Sequence, residues 1–138
     1  MDDCHRPSNG RYDPVERMGK LREVFLSGER SLGVNPLNLT RHSNEARFAS
    51  YRENVRRQVG EVLFVGLNVT GSNNNFVSSS PGAEAEYRER SLANAAWLAE
   101  AFHIARQNEL AGPAIFIQAD VGFGLSVCAA RAAATGSS

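Results

Sequence analysis

Val62-Leu63-Phe64-Val65-Gly66-Leu67 is six residues long and holds no polar side chain. A run this short and apolar at every position suits an internal strand covered on both faces. On its N-terminal side Asn54–Val59 reads as a second strand, joined to it through Gly60 as a hairpin. On its C-terminal side it runs into the polar turn Gly71-Ser72-Asn73-Asn74-Asn75. Ser80-Pro81 then suits the cap and opening of a long helix over roughly 82–109, with Glu84, Glu86 and Glu89 in its early turns. Asn94, Trp97, Leu98, Ala101, Phe102 and Ala105 form its inward stripe, and Ala93, Ala95 and Ala96 let it lie close to a sheet. Gly112-Pro113 ends it, and Ala114–Ala119 is a short apolar strand. Strand, helix and strand make a βαβ unit with parallel strands and a right-handed crossover. Ligands in open α/β sheets sit beyond the C-terminal strand ends. Here those ends are Asn68–Asn75 and Gln118–Asp120, two polar clusters on one rim.

Further out, Asp13-Pro14 is a helix start, and Val15, Met18, Leu21, Val24 and Phe25 follow at helical spacing as a core stripe. Gly28 stops that helix near Ser27. Residues 28–52 lack a clear period, which in a compact domain marks a functional loop or a piece missing its partner. From Gly122 the chain turns Ala-rich and ends in small polar residues, so 124–138 reads as a low-complexity, frayed tail after a domain over 1–123.

The 138 residues carry 15 basic and 15 acidic side chains, one domain's worth of chain with no net charge. That balance argues against sequence-independent nucleic-acid binding, and no apolar run is long enough to span a bilayer. Charge is uneven, at +3 over residues 1–60 and −3 over 61–138, with Arg52, Arg56 and Arg57 as a mildly basic solvated surface. Cys4 and Cys128 form no metal spacing, and free thiols are the default. The polar start, Met-Asp-Asp-Cys-His, is no signal peptide, so a cytoplasmic location is the default expectation.

His5, His42 and His103 are the histidines, and they fall in no HxxxH or HxH pattern. There is no GxSxG elbow, no phosphate loop and no GxGxxG fingerprint. The Asn-rich turn offers amides and hydroxyls to a polar ligand; equally, it is a turn in which Asn supplies left-handed backbone. His103 belongs on the exposed side of the long helix, and His42 acting as a base with Asp120 is a minor enzymatic alternative.

Several strings align together in order and spacing. They are Asp3-Cys4-His5-Arg6, Gly10-Arg11-Tyr12-Asp13-Pro14-Val15-Glu16-Arg17, Leu21-Arg22-Glu23-Val24-Phe25 and Ser31-Leu32-Gly33. Tyr51-Arg52-Glu53-Asn54-Val55-Arg56 follows, then Phe64 to Asn74, Ala96-Trp97-Leu98 and Gln118-Ala119-Asp120. Over residues 3–123 the chain resembles a bacterial branch of the calcineurin-like metallophosphoesterases. The resemblance implies a partial αββα sandwich and, in the full family, a divalent pair (Mn, Fe or Zn) that activates water for attack on a phosphoester. The family draws its ligands from Asp-x-His, Gly-Asp, Gly-Asn-His, a strand-end His and Gly-His-x-His. Gly-Asp, Gly-Asn-His and Gly-His-x-His are absent from this chain, only Asp3-Cys4-His5 has the Asp-x-His spacing, and Gln118 stands at the strand end and Asn68 where the branch reads His. Amides are poor ligands for Zn²⁺ or Mn²⁺.

The expectation is therefore a fragment or degenerate member of a metal-dependent phosphoester hydrolase family, binding no metal and inactive alone. Asn68, Ser72, Asn73, Asn74, Gln118 and Asp120 would line the former substrate rim. The alternative is a small non-catalytic binding module that uses this rim, or self-associates through an exposed strand edge.

Overall fold

Alternation in the apolar run sets the architecture. In the computed structural model, which describes residues 13–70, 74, 76 and 81–119, Leu63 and Val65 are buried while Phe64 between them is 40% exposed. The elements are α1 (Pro14–Phe25), β1 (Thr40–Arg41), β2 (Val55–Val59), β3 (Val62–Gly66), α2 (Pro81–Gln107) and β4 (Gly112–Phe116). They form a mixed α/β fold with one four-stranded sheet in the order β1-β2-β3-β4. β1 to β3 pair antiparallel, and β3 pairs parallel with β4. The expected hairpin and βαβ unit are both present. The hairpin turns at Gly60, whose φ of 58° suits the first position of a two-residue connection that other residues adopt with strain.

α2 packs on one face of the sheet through Trp97 and Ala101, which close over Leu63 and Val65. Ala93 and Ala105 extend this contact, and their small side chains allow the close approach. At 27 residues the helix is about 40 Å long, whereas a five-residue strand spans about 17 Å. The helix begins at the end of the sheet where β3 finishes, so its N-terminal half overhangs the rim. Phe102, expected inward, lies on the exposed side at this crowded contact, and Arg90 is buried on the inner stripe instead.

The other sheet face is uncovered among the described residues. Register places Val55, Arg57 and Val59 beside Gly66, Phe64 and Val62, with Ala114 and Phe116 alongside. A Cβ on Gly66 would meet Val55 Cγ2 at 3.1 Å, which places both on this face. Phe64 and Phe116 stack here at 6.0 Å between centroids, and Phe116 is 58% exposed. The expectation that Val62–Leu67 is covered on both sides is thus corrected. It is internal by pairing, but one layer covers it among the described residues, and the sheet's edges are the two-residue β1 and β4.

α1 starts as expected, with Asp13 Oδ1 accepting from the Val15 amide at 2.8 Å. Its stripe does not pack as a core. Met18 is buried, whereas Val15, Val24 and Phe25 are exposed, because the helix meets the rest of the chain only along its edge at the rim. Residues 28–52 hold two 3₁₀ turns, His42–Asn44 and Ala46–Phe48, and the short β1. Arginine clamps fix this irregular stretch. Arg52 donates to the carbonyls of Leu26, Ser27 and Gly28 and to Glu29, and Arg57 donates to the Asn38 carbonyl at 3.0 Å. Arg56 holds Glu100 on α2 at 2.5 and 2.7 Å. The basic surface expected at Arg52, Arg56 and Arg57 is therefore a set of internal ties. The expected tail at 124–138, and both cysteines, lie outside the described residues.

Candidate functional site

Where β3 ends, the backbone no longer has a strand partner on every side, and side chains take over its hydrogen bonds. Asn68 sits at this point. Its amide donates to Asn54 Oδ1 at 3.0 Å, and its carbonyl accepts from Asn94 Nδ2 at 2.8 Å. Asn54 Nδ2 closes the ring by donating to Asn94 Oδ1 at 2.8 Å. Arg90 reaches the same carbonyl at 3.2 Å and the Asn74 carbonyl at 2.7 Å, and also donates to Asn74 Oδ1. Glu86 grips its guanidinium at 2.7 and 3.1 Å. Asn74 takes a left-handed conformation, with φ at 54°, and its Oδ1 also accepts from the Thr70 amide at 3.1 Å. Its carboxamide oxygen thus shapes the turn, in line with the turn reading of this stretch.

The Asn68 side chain points the other way. Its Nδ2 donates to Glu53 Oε1 at 3.1 Å. Glu53 also takes both forks of Arg22, at 2.9 and 2.5 Å. Burial works against the Arg22 charge, but its bonds to Glu53 outweigh this and hold its pKa above the usual arginine value. Beside them opens a cavity of about 510 Å³. Met18, Leu21 and Leu26 wall one side, and Leu67, Phe116 and Ile117 the other. Glu53, Asn68, Thr70 and Gln118 supply its polar groups. The cavity lies beyond the C-terminal ends of the parallel strands, where open α/β sheets bind ligands. Its size and its apolar lining with few polar groups suit a small molecule.

Asn68 and Gln118, singled out from the sequence, thus meet in one cavity. Ser72, Asn73 and Asp120 lie outside the described residues. Glu53, Arg22, Asn54 and Arg90 escaped the sequence reading as site residues, and Asn94 is placed by it on the inward stripe, where it is indeed buried. A signal existed for the helical members. Glu86, Arg90 and Asn94 recur every four residues on the stripe that continues as Trp97, Ala101 and Ala105, so polar groups occupy a buried face.

His42 is remote from this chemistry. It is 1% exposed, with its ring 4.1 Å from Phe48 and 4.6 Å from Trp97, and offers a substrate no approach. Burial lowers its pKa below the ordinary 6.5, against a raising contribution from Glu100; Arg56 adds to the lowering. Glu45 is the other carboxylate near it, at 3.9 Å from Nε2. The folded chain therefore holds His42 neutral at a pH where the unfolded chain protonates it. The stability this provides is complete above about pH 6.5 and drains away as pH falls below it toward the folded value. Urea midpoints should be lower at about pH 5.5 than at about pH 7.5, and His42→Phe should flatten that difference. Glu100, held low by its Arg56 bonds, loses its contribution only below about pH 4.5 and leaves this window clear.

Among the described residues, no three His, Cys, Asp or Glu side chains gather where they could hold a metal ion. Nor is any described helix long and apolar enough to cross a membrane. No family model, no curated protein and no solved structure matches the chain.

Proposed function

We propose that the chain is part of a metallophosphoesterase-like αββα sandwich and does not hydrolyse phosphoesters by itself. The uncovered sheet face carries this reading. A helix layer lies on one side, while the other presents Val59, Phe64 and Phe116 to solvent, as the inner face of a second sheet-to-sheet contact would. The resemblance on the strings from Asp3 to Asp120 points the same way.

The metal pair of that family does not fit the described rim. Its donors are the amides Asn68 and Gln118, the Thr70 hydroxyl, and a Glu53 carboxylate already committed to Arg22 and Asn68. This set contains no imidazole, and its one carboxylate is engaged at both oxygens, so no step of hydrolysis is assigned to it. With Mn²⁺ added, the chain should release no nitrophenol from bis(p-nitrophenyl) phosphate. Chelator-sensitive turnover would overturn the inactivity. The genomic flanks should encode Asp-x-His and Gly-Asp upstream and His-x-His downstream, in frame or one frameshift away. Flanks without these codons would remove the family reading.

The rim cavity favours a second reading, a non-catalytic binding module. Self-association at the free β4 edge belongs to it, and a concentration-independent monomer in sedimentation would exclude that edge as an interface.

A further inference from the structure

The lining of the rim cavity defines the ligand it can take. Glu53 is the one charged residue among those that line it, and its charge is already met. Arg22 binds both carboxylate oxygens, and Asn68 Nδ2 adds a third bond. Among the described residues, the cavity therefore presents a balanced ion pair and no spare cation. A phosphate or carboxylate entering it would lose its hydration for no charged partner, which is costly. An uncharged molecule meets no such penalty.

Two polar groups, on Asn68 and Gln118, are open toward a ligand, and a third, on Thr70, is buried in the wall. Thr70 is buried, and its Oγ1 has no hydrogen-bond partner among the described residues, a state that buried hydroxyls rarely keep. Asn68 uses its amide nitrogen on Glu53 and Met18, while its Oδ1 accepts no bond among the described residues. Gln118 is exposed at the mouth with a whole carboxamide available. Together they offer acceptors and donors along one side of an apolar chamber about 510 Å³ in volume.

We propose that the rim cavity binds an uncharged ligand, a flat or aliphatic ring bearing an adjacent donor and acceptor of the amide or lactam kind, and discriminates against anions. The ring lies between Leu21 and Met18 on one side and Leu67 and Ile117 on the other. The ligand's N–H donates to Asn68 Oδ1, and its carbonyl accepts from the Gln118 carboxamide. This rests on the cavity lining alone and holds whether or not the chain belongs to a phosphoesterase sandwich.

Benzamide, benzoate and phenyl phosphate share one ring and differ in the charge of the substituent, so they separate the terms. The full chain, labelled with ¹⁵N, is titrated with each to about 10 mM, the range of weak fragment affinities. Benzamide should shift the amides of Leu67, Asn68, Ile117 and Gln118 saturably, and at least tenfold more tightly than either anion. Gln118→Leu, a change at an exposed side chain, should weaken benzamide roughly three- to tenfold. Leu21→Trp fills the chamber and should abolish the shifts, with resonances of β2 and the C-terminal half of α2 unchanged as the check on folding. If that variant does not fold, Gln118→Leu alone decides the location. No saturable shift from benzamide would overturn the proposal, and so would unchanged affinity in Gln118→Leu. Tightest binding by phenyl phosphate would overturn the discrimination and return the rim to a phosphoester substrate. The nitrophenol assay tests that family reading separately.

Discussion

Trp97→Ala should cost the chain about 3–5 kcal/mol and leave it largely unfolded at room temperature. The described core is small, with Met18, Phe48, Leu63, Val65 and three alanines besides Trp97. The indole is 1% exposed and is the largest side chain fully buried there. It touches three layers at once. Leu63 and Val65 lie in the sheet beneath it, His42 stacks on it at 4.6 Å, and the Arg56 guanidinium lies 4.0 Å from its ring centre. Removing the ring opens a void that Ala93 and Ala101, already in contact distance of the sheet, cannot fill. It also takes the aromatic surface from Arg56 and the stacking partner from His42. Trp97→Phe should be far milder, under about 2 kcal/mol, because it keeps an aromatic ring and removes an indole N–H that has no partner among the described residues. Urea unfolding followed by circular dichroism is the measurement, since Trp97 is the chain's one tryptophan and fluorescence is lost with it. Equal loss in the two variants would contradict the packing account.

Arg90→Met should destabilise by about 3 kcal/mol, although methionine fits the space and helix propensity hardly changes. The guanidinium is 1% exposed and ties Glu86, the Asn68 carbonyl and both oxygens of Asn74 into one network. Methionine leaves Glu86 as a partly buried carboxylate without its cation and takes the bond from the Asn74 carbonyl, while the Asn68 carbonyl keeps its bond from Asn94. Glu86 keeps some solvent access, which places the loss at the low end for a broken buried pair. The double variant Glu86→Leu with Arg90→Met should recover part of the loss, because the unpaired charge is gone. A double variant weaker than Arg90→Met alone would show that the orphaned carboxylate is not the cause.

Much of the sheet and its long helix is legible in the sequence, and the reasons are local. Gly60 between a polar strand and an apolar one specifies the hairpin, and an apolar strand, a long helical stretch and a second apolar strand specify the βαβ unit. The rule that ligands sit beyond strand ends locates Asn68 and Gln118. What escapes depends on distant partners. The α1 stripe has helical spacing, yet spacing cannot reveal that little surface waits to receive it. Arg52, Arg56 and Arg57 look like a charged surface because a sequence does not show which carbonyls a loop brings to them. The asparagine ring joins residues 14 and 40 positions apart, and no local pattern announces such a ring.

The parallel pairing of β3 with β4 also sets an order of assembly. β2 and β3 meet across a two-residue turn, whereas β4 reaches β3 only after the whole of α2 has been placed between them. Closing the longer loop costs roughly 3 kcal/mol more chain entropy than closing the hairpin. Contacts local in sequence form early and this one forms late. In that interval β3 is itself the sheet's edge. The most apolar strand of the chain then offers unpaired amides and carbonyls on one side to any other nascent strand nearby.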